Sequence, residues 1–129
     1  MIKVLLIGCG YWGKNWYSTI KNSNYELVGV VDPNPIINID VPIFSDIREV
    51  DIKYTHAILA VNANQHSEIV KQLNIPKKNI LIEKPCGVNY QDALSLKDIF
   101  PGYIFLYSDE YQYIKTHLHK IGTPLYWKS

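Results

Sequence analysis

The chain has 129 residues and a net charge of +1, the length of one domain with no basic or acidic excess to draw it to nucleic acid or an anionic membrane. No apolar run reaches the roughly 18 residues of a membrane-spanning helix, and no signal-peptide pattern precedes the first strand. Two cysteines, Cys9 and Cys86, are too few for a disulfide framework and stand in no metal-ligand spacing, so no metal is expected and a cytoplasmic setting is.

In chain order, Ile2 to Ile7 is almost continuously apolar, as in a strand covered on both faces. It runs into Gly8-Cys9-Gly10-Tyr11-Trp12-Gly13, and Trp12 to Ile20 then reads as a helix with Trp16 and Ile20 one turn apart. Tyr25 to Asp32 is a second strand, stopped by Pro33 and Pro35. A crossover helix is expected next, yet Ile36 to Val41 is too short and too β-branched to form one. An abbreviated loop into a short third strand at Pro42 to Phe44 is predicted instead, then one helical turn capped by Ser45.

His56 to Val61 is the fourth strand, Gln65 to Leu73 a helix and Ile80 to Glu83 the fifth strand. Tyr90 to Ile99 is a helix capped by Asn89, and Tyr103 to Tyr107 the sixth strand. Glu110 to Lys120 reads as a helix ended by Gly122, and Thr123 to Lys128 as the start of another strand. Strands alternating with helices imply an α/β fold with a doubly wound parallel sheet.

Such sheets bind ligands beyond the carboxyl ends of their strands. The glycine pattern there has a specific chemistry. Gly8 permits the tight turn, Gly10 lets a pyrophosphate approach the backbone, and Gly13 lets the helix lie close to the strand. The N–H groups of the helix's first turn then point at the anion with the positive end of the helix dipole behind them. Asp32 follows about 20 residues after the glycines, where a carboxylate accepts hydrogen bonds from ribose hydroxyls and repels a 2′-phosphate, favouring NAD over NADP. Cys9 and Cys86 are expected as small packed residues, and His117 and His119 as solvated ones.

Four segments in this order resemble the Gfo/Idh/MocA family of oxidoreductases. They are Ile7 to Asn15, Val30-Val31-Asp32, Ala60-Val61-Asn62-Ala63-Asn64-Gln65-His66 and Ile82-Glu83-Lys84-Pro85. The first is closest to members acting on nucleotide-sugar uronic acids. The resemblance implies a Rossmann-like sheet of order 3-2-1-4-5-6 over residues 1–123, with residues 124–129 opening a second domain that is otherwise absent. It implies NAD as cofactor, held by Gly8, Gly10, Tyr11, Trp12, Gly13, Asp32, Val61, Asn62, His66, Glu83 and Lys84. It further implies a sugar-like substrate whose hydroxyl Lys84 polarises, with Glu83 orienting the site.

Two functions follow as expectations: an oxidoreductase acting on a sugar, cyclitol or nucleotide-sugar hydroxyl, or a dinucleotide-binding module without catalysis. A homodimer is expected through the aromatic C-terminal region, where Tyr103, Phe105, Tyr107, Tyr111, Tyr113, Tyr126 and Trp127 concentrate.

Overall fold

The computed structural model describes residues 1–122. Six parallel strands form one sheet in the order β3-β2-β1-β4-β5-β6. They are β1 (Lys3–Ile7), β2 (Glu26–Val31), β3 (Ile43–Phe44), β4 (His56–Leu59), β5 (Ile80–Ile82) and β6 (Phe100–Pro101). The helices are α1 (Gly13–Lys21), α2 (Ala63–Gln72), α3 (Tyr90–Ser95) and α4 (Asp109–His117). The predicted strand order holds.

The apolar first strand divides its side chains between two cores, because successive residues point to opposite faces. Val4 and Leu6 join Leu27, Val30 and Ile20 of α1 on one face. Leu5 and Ile7 join Ala57, Leu59, Ile80 and Ile82 on the other, beneath Val70 of α2, Leu73, Leu96 and Ile99. Each fully buried Leu or Ile contributes about 1.5–3 kcal/mol.

The shortened second crossover is a loop, as its β-branched residues predict. Its alternate residues Ile37, Ile39 and Val41 pack on the α1-side core. Asp40 pins the loop to α1, accepting from Tyr17 Oη at 2.6 Å and Lys21 Nζ at 2.7 Å. A loop thus does the covering that a helix would otherwise do.

Three expectations change. The turn after β3 is a 3₁₀ turn, Ile47–Glu49, capped by Asp46 rather than Ser45; Asp46 Oδ1 accepts from Arg48 N–H while Glu49 Oε2 accepts from Asp46 N–H. α3 ends at Ser95, and Asp98 turns the backbone through the left-handed region at φ 71°. That early stop moves the sixth strand forward: Phe100 and Pro101 pair with Leu81 and Ile82, and Ile104–Tyr107 coils into a 3₁₀ turn. The cap of α3 is Asn89, whose Oδ1 accepts from Asp92 N–H. Gly122, at φ 71°, follows the last helical turn. The strand expected over 123–128 and the domain boundary beside it lie outside the described residues.

Candidate functional site

The carboxyl ends of β1, β2, β4 and β5 open on one cleft of about 790 Å³. Its lining includes Gly8, Gly10, Tyr11 and Trp12 from the glycine loop and Asp32 beyond β2. Val61, Asn62 and Gln65 follow from the β4–α2 loop, and Glu83 and Lys84 from the end of β5. Residues scattered over most of the sequence meet there because parallel strands all end on the same edge.

The three glycines have different physical reasons. Gly8 sits at φ +88°, and a Cβ on it would stand 2.7 Å from the Ala60 carbonyl oxygen. A Cβ on Gly13 would land on the carbonyl oxygen of Gly8. Both are explained by the protein's own packing. Gly10 is not: a Cβ there would meet no protein atom within 4 Å. The space above Gly10 opens to the cleft, as it must if an anion is to approach the backbone. α1 carries no acidic residue in its first turn, so nothing in that turn neutralises its positive end.

Asp32 is half-buried and locked. Its Oδ2 accepts from Cys9 N–H at 2.6 Å and its Oδ1 from Asn34 N–H at 2.8 Å. The carboxylate is thereby fixed between the glycine loop and the end of β2, with lone pairs left for a ribose hydroxyl. Cys9 lies fully buried beneath it; burial first, then the Asp32 charge, pushes its thiol up from the ordinary value. Cys9 is a packing residue, and both cysteines are free.

Glu83 is buried, and its Oε1 accepts from the Trp16 indole N–H at 2.6 Å. Oε2 takes a longer bond, 3.3 Å, from Lys84 N–H. Trp16, read from the sequence only as an apolar residue of α1, therefore anchors the acid at the end of β5. No sequence spacing relates the two. Lys84 is exposed at the cleft, followed by a cis bond to Pro85, and none of the ion pairs among the described residues involves it.

His66 is placed differently from the expected cofactor contact. It is fully buried, does not line the cleft, and its Nδ1 lies 2.9 Å from the Cys86 carbonyl oxygen. The first turn of α2 presents this face to the loop after β5, an orientation only packing decides. Ile104 and Phe105, expected in a strand, instead close one side of the cleft.

A second groove of about 820 Å³ adjoins the first, sharing Val31, Pro33, Val61 and Gln65. Asp46 and Arg48 line it opposite Glu68 and Gln72 of α2. Among the described residues no group of three His, Cys, Asp or Glu could hold a metal ion, and no helix is long and apolar enough to cross a membrane.

Residues 2–102 match the model of GFO_IDH_MocA, an oxidoreductase family with an NAD-binding Rossmann fold. The chain belongs to this family. NAD is accordingly the dinucleotide that goes with its glycine loop, and the open space over Gly10 beside a fixed Asp32 fits that group.

Solved structures with the family's fold include myo-inositol dehydrogenase from Lactobacillus casei in complex with NAD(H) and myo-inositol. The identity is 20%, the TM-score 0.81, and the match covers 97% of this chain and 44% of that one. Apo scyllo-inositol dehydrogenase from Lactobacillus casei matches at 18% identity and a TM-score of 0.76, covering 95% and 43%. The WlbA dehydrogenase from Bordetella pertussis, in complex with NADH and UDP-GlcNAcA, matches at 19% identity and a TM-score of 0.76, covering 92% and 42%. At these identities the likeness is one of fold, and the chain spans less than half of each neighbour. No curated protein matches the sequence.

Proposed function

We propose that this Gfo/Idh/MocA domain serves NAD-linked oxidation of a hydroxyl on a sugar, cyclitol or nucleotide sugar. The observation that carries the reading is a single cleft holding Gly10, Asp32 and Lys84, with Gly10 bare for a reason the protein's own packing does not supply.

In this reading the glycine-loop amides and the α1 N-terminus hold the diphosphate, and Asp32 holds the ribose of the adenosine half. Val61 and Asn62 flank the cofactor from the β4 side. NAD, when bound, supplies the hydride acceptor. Lys84 does the protein's share of the chemistry: in oxidation its neutral amine takes the proton of the substrate hydroxyl, and in the reverse direction the resulting ammonium polarises the carbonyl oxygen and returns that proton. Glu83, tied to Trp16, keeps the backbone at Lys84 in place. The fixed carboxylate of Asp32 disfavours a 2′-phosphate, so NAD is preferred over NADP.

The test is Lys84→Met. NADH affinity by titration is expected to stay within about twofold, because a cleft-facing ammonium is removed without touching the phosphate loop, while turnover falls about 100-fold or more. The screen uses inositols, hexoses and UDP-sugar uronic acids, the first and last drawn from what the structural neighbours hold. Unchanged turnover in the variant ends the role for Lys84.

A second reading, a dinucleotide-binding module without catalysis, has one observation in its favour. The described cleft residues include no histidine, and Ile104 and Phe105 wall the cleft with apolar surface only. NAD binding by the native chain with no turnover across the screen would select it.

The aromatic segment supports self-association. Phe105, Tyr107 and Tyr113 are each at least 60% exposed, more than an isolated domain surface needs. A homodimer through this region is expected at tens of micromolar. A monomeric mass by light scattering removes that expectation; Tyr126 and Trp127 lie outside the described residues.

A further inference from the structure

His66 is the one fully buried polar side chain in the described structure that the cofactor reading leaves unused. Its Nδ1 lies 2.9 Å from the carbonyl oxygen of Cys86, and its Nε2 is buried without a partner among the described residues. An apolar side chain would fill this position at lower desolvation cost. What the imidazole adds is a donor to a backbone carbonyl two residues beyond Lys84.

A carbonyl only accepts, so Nδ1 carries the proton in this bond. In the neutral ring Nε2 is then a bare acceptor. The next residue of α2 reaches the same loop at a second point through Asp92 of α3. Ser67 Oγ donates to Asp92 Oδ1, and Asp92 Oδ2 accepts from Val88 N–H at 3.0 Å. α2 therefore holds the segment after β5 directly at Cys86 and, through Asp92 of α3, at Val88 on the other side of Gly87.

We propose that His66 is a positioning residue: its Nδ1–H holds the Cys86 carbonyl and so fixes the turn that presents Lys84 to the cleft. The proposal rests on the reading of Lys84 given above, and it assigns His66 to the turn rather than to the cofactor.

Cys86 itself is the reporter. It is half-buried and free, whereas Cys9 is fully buried and serves as the control for global opening. In His66→Leu and His66→Gln the Cys86 thiol should react about tenfold faster with an aromatic disulfide reagent, because the turn opens locally once its carbonyl loses its donor. The amide of Asn sits where Nδ1 does, so His66→Asn should label within about twofold of the native rate. Gln reaches toward the Nε2 position and should not rescue. Equal labelling in all variants overturns the proposal, as does faster labelling in Asn and Gln alike.

Where a variant also exposes Cys9, the native protein decides the matter. Two-bond proton–nitrogen correlation on ¹⁵N-histidine protein should show the His66 proton on Nδ1; a proton on Nε2 alone overturns the assignment. With a substrate in hand, kcat should fall in the Leu and Gln variants while NADH affinity holds, and unchanged kcat beside faster labelling refutes the link to Lys84. Labelling needs neither cofactor nor turnover. If the native chain transfers no hydride, the oxidoreductase reading fails alone and the labelling still decides whether His66 holds the turn.

Discussion

The opening β1–α1–β2 unit and the segment after β6 are both supplied with large side chains, and they use them in opposite ways. In the first, Val4, Leu5, Leu6 and Ile7 are buried within 3% exposure, and Trp16 reaches across to the acid at the end of β5. In the second, none of the residues of α4 or of the preceding 3₁₀ turn is buried, and Phe105 and Tyr113 lie largely open. Hydrophobicity alone does not make a core. A strand paired on both sides leaves its side chains nowhere to go but into the layers above and below, whereas short helical turns past the sheet edge have no such layers. The cofactor end is thus overdetermined, and the aromatic end is left largely exposed.

The sharpest way to break this contrast lies within the glycine loop. Gly13→Ala should cost about 3 kcal/mol or more, since its methyl would fall on the Gly8 carbonyl. Gly10→Ala should change stability by no more than about 0.5 kcal/mol. The same variant should weaken NADH binding about tenfold or more, as its methyl enters the space the diphosphate needs. Paired denaturant melts and NADH titrations would show both, and a Gly10→Ala protein with native affinity would remove the cofactor reading.

Next in size is the Trp16–Glu83 pair. Trp16→Phe leaves a buried carboxylate with only the 3.3 Å bond from Lys84 N–H, at a cost of about 1–3 kcal/mol in urea unfolding. No loss would mean that the carboxylate turns to solvent instead. Phe105→Ser sits at the other extreme, with about 0.5 kcal/mol or less expected from the same measurement. A cost as large as that of Trp16→Phe would put the aromatic end inside a core after all.

The smallest effect concerns pH. The Arg48 side chain, followed by its backbone N–H, lowers the Asp46 carboxyl from 3.8 to about 2. A folded value below the unfolded one stabilises above the unfolded value and is lost as pH falls through the folded one. The Asp46 cap should therefore contribute fully at pH 7, keep that contribution down to about pH 4 and lose it progressively as pH falls from there through about 2. An NMR titration of Asp46 with a midpoint at the ordinary carboxylate value would show the pair to be open in solution.

Much of the molecule is legible without coordinates. Parallel order and the edge where ligands gather follow from apolar runs that alternate with helical stretches, because both periods are local properties of the chain. Gly8, Asp32 and Glu83 could be assigned to one edge for that reason. The sixth strand could not: its place depends on where α3 stops, and Asp98 then takes a left-handed conformation that aspartate tolerates but does not by itself dictate. The Ser45 cap failed by one position, since Ser and Asp are both good caps and only the closing bond from Glu49 selects Asp46.

The residues by themselves determined the parallel sheet, the glycine turn and the acids at its edge, since each depends on spacing along a few consecutive positions. Tertiary structure alone decided that Trp16 holds Glu83, that His66 turns inward to Cys86, and that Phe105 walls the cleft. Those pairings join segments far apart in sequence. No local periodicity encodes which face of one helix meets which turn, because that choice is made when the layers close and the buried polar groups must find partners.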